Sequence, residues 1–100
     1  MAIVKKFIFV YIIHCSDDSY HVGVTNALKS RYQEHEEGIN SRAYTYSRRP
    51  FKALYWEIYE SPMEGILREK QIKKWTRAKK RALRYGNYDQ LKYLSSSIKT

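Results

Sequence analysis

Seven consecutive residues, F-I-F-V-Y-I-I (7–13), leave this chain few choices. The run is too short to cross a bilayer, and β-branched and aromatic side chains fill it, as in a buried strand. His14, Cys15 and the turn-rich S-D-D (16–18) follow, then a second strand-like run, Y-H-V-G-V-T (20–25). Two strands at 7–14 and 19–25 joined by so short a link form a hairpin. Lys5 and Lys6 ahead of the run mimic a signal peptide, but no small-residue cleavage site follows it. The expectation is therefore no targeting or membrane-spanning segment.

Loop length decides which side chains meet. A three-residue loop, Ser16–Asp18, pairs Ile13 with His21 and Tyr11 with Gly23, so Tyr11, His21 and Gly23 share one face. A two-residue turn at Asp17–Asp18 sets His21 opposite His14 and turns it away from Tyr11. The sequence leaves both registers open.

Beyond the hairpin, Asn26 is placed to cap a helix over 27–37 that Gly38 closes. Residues 39–50 lack a clean period and end in proline, which predicts a loop. F-K-A-L-Y-W-E-I-Y (51–59) reads as a third strand. Ser61, Pro62 and Glu64 form a capping-box start for a helix over 62–75. Thr76 caps another over 77–85, closed by Gly86, and a last helix lies near 88–96. One hundred residues fit one domain, residues 1–100. The predicted class is α+β: a small three-stranded antiparallel sheet flanked by helices.

Polar residues stand where apolar ones are expected. On helix 27–37, Leu28, Arg31, Tyr32 and His35 share the face that should meet the sheet. Glu69 sits between Ile66 and Ile72 at helical spacing, so its carboxylate should be partly shielded. The plainer alternatives are Arg31 and His35 reaching solvent past packed carbons, and Glu69 in a surface pair with Arg68, Lys70 or Lys73.

Charge adds a partner class. The net charge is +9, from 19 Lys and Arg against 10 Asp and Glu. Residues 68–84 hold nine basic side chains and one acid, among them Lys70, Lys73, Lys74, Lys79 and Lys80. The loop adds Arg48 and Arg49 with Tyr44 and Tyr46 between basic neighbours. Cations neutralise phosphates and tyrosines stack on unpaired bases, so a nucleic acid is the expected partner. A basic membrane-surface helix is the weaker alternative, because the apolar face is interrupted. Cys15 is the lone cysteine, which suits a reducing compartment, the cytoplasm. A zinc site from His14, Cys15, His21 and His35 is disfavoured, since neighbours on a strand face opposite ways.

The ordered set F-V-Y (9–11), H-V-G (21–23), Arg31, His35 and R-E-K-Q-I-K (68–73) resembles the GIY-YIG nuclease family. It resembles in particular small standalone bacterial members related to the nuclease module of the excision-repair endonuclease, over roughly residues 7–97. The resemblance implies a divalent-metal-dependent endonuclease acting on phosphodiester bonds, on DNA rather than RNA, with a place in repair or recombination. It implies Tyr11, His21, Arg31, His35 and Glu69 as the catalytic set, with Glu69 holding Mg²⁺ or Mn²⁺. Two departures stand out. Phe9 replaces the first motif glycine, and His21 replaces the second motif tyrosine. A free phenol titrates near 10 and a free imidazole near 6.5, so His21 offers either a base active near pH 6–7 or an acceptor that polarises Tyr11. The competing implication is a nucleic-acid-binding module whose cleavage is lost. Asn87 is the one weak match for an asparagine found in larger members.

Overall fold

The structure is a computed structural model that describes residues 7–96, with side chains to residue 92. Lys5 and Lys6 fall outside that range. The order is β1 (Ile8–His14), β2 (Tyr20–Thr25), α1 (Leu28–Glu37), a 3₁₀ turn (Tyr46–Arg48), β3 (Ala53–Tyr59), α2 (Pro62–Lys73), α3 (Arg77–Arg84) and α4 (Tyr88–Ser96). The sheet is antiparallel with strand order β2-β1-β3, so β1 is the central strand.

The hairpin takes the three-residue loop. Ile13 pairs with His21 and Tyr11 with Gly23. Three-residue hairpin loops end on a left-handed residue, and Asp18 supplies it with φ of 65°. An aspartate tolerates that region, and His14 and Lys52 hold its carboxylate.

Each strand divides its side chains between two layers. Val10, Ile12 and Val22 face α2, α3 and α4, where they pack with Ile72 and Leu83 into the larger core. Tyr11, Ile13 and Cys15 face the other way, against Leu28, Tyr32, Phe51 and Leu54. Gly65 lets α2 approach β1 closely, because a Cβ there would sit 2.5 Å from Ile8.

Most helix ends follow their sequence signals. Ser61 Oγ accepts from the Glu64 N–H and Thr76 Oγ1 from the Lys79 N–H. Gly38 and Gly86 lie beyond their helices with φ of 66° and 71°. The expected cap at Asn26 is not made. Ala27 occupies the cap position without a side-chain bond, and the Ala27 N–H donates to Thr25 Oγ1 instead. Helix α2 stops at Lys73, two residues short of the predicted end. No helix among the described residues is long and apolar enough to cross a membrane.

Candidate active site

The site begins with the missing side chain at Gly23. A Cβ there would collide with Tyr11 Oη, so only glycine lets the phenol lie across β2. Tyr11 is buried, yet its hydroxyl reaches His35 Nε2 at 3.1 Å. His35 Nδ1 in turn lies 2.7 Å from Oγ1 of Thr45, itself buried. Thr45, His35 and Tyr11 thus form a chain of three groups that fixes both ring nitrogens. With Nδ1–H donating to Thr45, Nε2 accepts from Tyr11.

His21 completes an aromatic nest. Its ring centroid is 6.0 Å from that of Tyr11 and 5.1 Å from that of His35, and Tyr44 stacks over it at 6.1 Å. Tyr11 takes its hydrogen bond from this group through His35, so the polarising contact expected of His21 belongs to His35 instead.

Electrostatics then distinguishes the groups. Burial raises the Tyr11 phenol above its usual range, with the Arg31 guanidinium working against the rise. Burial also lowers His21 from 6.5 to about 4, with His35 and Lys73 adding to the shift and Glu69 opposing it. At neutral pH His21 is therefore unprotonated, and its titration lies below the 6–7 range of a free imidazole. His35 is lowered too, by burial first and then by Arg31.

Arg31 stays at the exposed rim of α1, with a 3.3 Å pair to Glu34 as its carboxylate contact. It lines a cleft of about 230 Å³ with Glu34, His35, Thr45 and Tyr46. Glu69 comes from α2, on the opposite layer, and is buried; its charge is felt at both Tyr11 and His21. Lys73 Nζ lies 2.8 Å from its Oε1. Among the described residues no three His, Cys, Asp or Glu side chains gather to hold an ion. One shielded carboxylate fits Mg²⁺ or Mn²⁺, which keep most of their waters, and does not fit a closed zinc site.

The basic residues fare unevenly. Lys70, Lys73 and Lys74 are exposed, and Lys80 is half-buried. Lys79 is buried with its ammonium 4.6 Å over Trp75, so it packs and presents no free charge. Arg49 donates to the carbonyls of Tyr46 and Glu36, and Arg48 donates to that of Tyr44 and pairs with Asp17. Both arginines brace the loop. They also stack on Tyr46 and Tyr44, respectively, which remain exposed. Asn87 caps α4 through the Gln90 N–H. Nothing local in the sequence marks Thr45 as a partner of His35.

Comparison with known proteins adds the family. Residues 7–82 match the model of the GIY-YIG catalytic domain, a span that stops short of α4. UPF0213 proteins of Staphylococcus aureus strains Mu50 and N315 are 42% identical over 72 residues, 72% of this chain and 87% of theirs. A solution NMR structure of the UPF0213 protein BH0048 from Bacillus halodurans is 32% identical, with a TM-score of 0.47, covering 77% of this chain and 81% of that one.

Proposed function

The chain belongs to the GIY-YIG family of catalytic domains, and we propose that it is a divalent-metal-dependent endonuclease that hydrolyses phosphodiester bonds of DNA. The observation that carries this is the Tyr11–His35–Thr45 chain beside a neutral His21, within the field of a buried Glu69. A core has no use for that many polar groups on one face.

In the proposed reaction, Tyr11 orients the attacking water, its own proton held toward His35 Nε2. His21, unprotonated at neutral pH, accepts the proton the water loses as its oxygen bonds to phosphorus. Arg31 offers its planar fork to the non-bridging oxygens as negative charge builds on them. The P–O bond to the leaving sugar oxygen breaks, and that oxygen takes a proton from solvent. Glu69 would hold Mg²⁺ or Mn²⁺, which supplies Lewis-acid stabilisation of the phosphate and the leaving oxygen. Lys73 meanwhile balances the Glu69 charge.

The exposed lysines of α2 and the Tyr44 and Tyr46 rings extend the footprint along the substrate. The lone Cys15 fits a cytoplasmic role, and the resemblance to the excision-repair module points to repair or recombination.

The second reading, a binding module without cleavage, draws support from His21 standing in the tyrosine position. One experiment separates the two. Branched, flapped and single-stranded DNA are incubated with Mg²⁺ or Mn²⁺, using wild type and Glu69→Gln. Metal-dependent nicking by wild type alone is expected; tight binding without nicking under every condition would establish the second reading.

A further inference from the structure

On the opposite sheet layer, at the outer end of the hairpin, lies a second polar cleft of about 420 Å³. It is lined by His14, Asp18, Tyr20, Lys52, Arg77, Arg81 and Tyr85. His14 and Tyr20 pair across the hairpin and stack with centroids 4.6 Å apart. His14 is buried; its Nε2 meets Asp18 at 3.1 Å, while its Nδ1 is buried without a partner. Lys52 also pairs with Asp18. Arg77 and Arg81, one helical turn apart on α3, have no carboxylate partner among the described residues. Tyr85 is exposed, with Arg84 stacked on its ring at 4.0 Å. Three cations against one acid, with Arg81 also lying 5.7 Å over the Tyr85 ring, make an anion site with an aromatic wall.

Lys73 pairs with Glu69 and bears on His21, and Lys80 is close enough to Lys73 for their charges to repel. Lys80 lies on α3 between Arg77 and Arg81. Basic side chains thus lie both beside Glu69, at Lys73, and along α3, at Arg77, Lys80 and Arg81.

We propose that this cleft is a second nucleic-acid-binding site, in which Arg77 and Arg81 hold backbone phosphates and Tyr85 stacks on a base of a single strand that leaves the candidate active site. The inference rests on the nuclease reading for its substrate, yet the two fail separately. The test is fluorescence anisotropy of a labelled single-stranded DNA 20-mer, titrated across salt in EDTA so that no cleavage intervenes, with cleavage assayed in parallel in Mg²⁺. Arg77→Gln and Arg81→Gln should each flatten the log–log salt slope by about one. Lys29→Gln, the same charge change on α1, should leave the slope unchanged. Tyr85→Ala should weaken binding by about fivefold or more with an unaltered slope. Inorganic phosphate and a mononucleotide should compete only far above the strand's own dissociation constant. The proposal is overturned if the arginine variants match Lys29→Gln, if a mononucleotide binds as tightly as the strand, or if the arginines govern binding to anionic vesicles and not to DNA. Wild type that cuts while its salt slope ignores Arg77 and Arg81 defeats this site alone. The expected slope changes in a protein that never cuts support the site and defeat the nuclease reading.

Discussion

Two polar clusters use nearly the same side chains on opposite layers of one sheet, and only one of them is closed. On β3, Glu57 accepts from Tyr55 at 2.5 Å, from Tyr59 at 2.7 Å, and from Arg68 Nε and Nη2 at 2.8 and 3.0 Å. Gln71 takes another guanidinium N–H, and Trp75 lies under the cation. Burial pushes the Glu57 carboxyl up, but Arg68 and the two tyrosines more than offset it and hold it low. Burial and the shared carboxylate drive Tyr55 well above the phenol range and Tyr59 up to about 12. Both tyrosine hydroxyls and three of the guanidinium N–H groups find acceptors inside that cluster. Around Tyr11 the phenol, His35 and Thr45 bond one another, but His35 and Thr45 also line an open cleft, with Arg31 at its exposed rim. A closed network rigidifies a fold, whereas an open one leaves bonding capacity for a substrate.

The contrast breaks most readily at His21. His21→Ala should lower the cleavage rate by about 10²–10⁴ while the midpoint of urea unfolding hardly moves. If single-turnover rates stay at the wild-type level, His21 is a packing residue and the proton passes elsewhere. Arg31→Ala should lower the same rate by about 10²–10³, the usual loss for one donor at a developing oxyanion. Rate constants at saturating DNA are the readout, because an effect on binding alone would assign Arg31 to the substrate footprint.

The closed cluster should behave oppositely. Glu57→Ala strands the Arg68 charge and two tyrosine hydroxyls, and should cost about 3 kcal/mol of stability in denaturant unfolding. The folded fraction should still cut at the wild-type rate. A stable Glu57→Ala protein with lost activity would reverse the roles of the two clusters.

The smallest effect is one of pH. A histidine that remains neutral in the fold down to about 4 binds its proton more weakly there than in the unfolded chain. Its contribution is complete above about pH 6.5 and is lost as pH falls from there through about 4. His21→Ala should flatten that limb of the stability curve. The acid limb of the cleavage rate should likewise lie well below the ordinary imidazole range.

The sequence made the open cluster legible because its members are placed by short-range rules. Strand parity puts Tyr11, His21 and Gly23 together once the loop is three residues long, and helical spacing puts Arg31 and His35 on one face. The loop itself was ambiguous, since the choice rests on Asp18 adopting a left-handed backbone. Thr45 was invisible because a segment without periodicity carries it back to His35. The bracing roles of Arg48 and Arg49, and the burial of Lys79 on Trp75, are likewise set by tertiary packing that charge counting cannot see. The Glu57 cluster left a trace that could have been read: an acid between tyrosines at i−2 and i+2 of one strand. Its partner Arg68 lies on the next helix, beyond the reach of strand parity.

The most direct measurement compares wild type and Glu69→Gln on the same labelled DNA, following both binding and strand cleavage with and without Mn²⁺. The expected result is equal binding and equal stability, with metal-dependent nicking in wild type and none in the variant. Nicking by Glu69→Gln at the wild-type rate would contradict the account, leaving Glu69 as no more than the partner of Lys73.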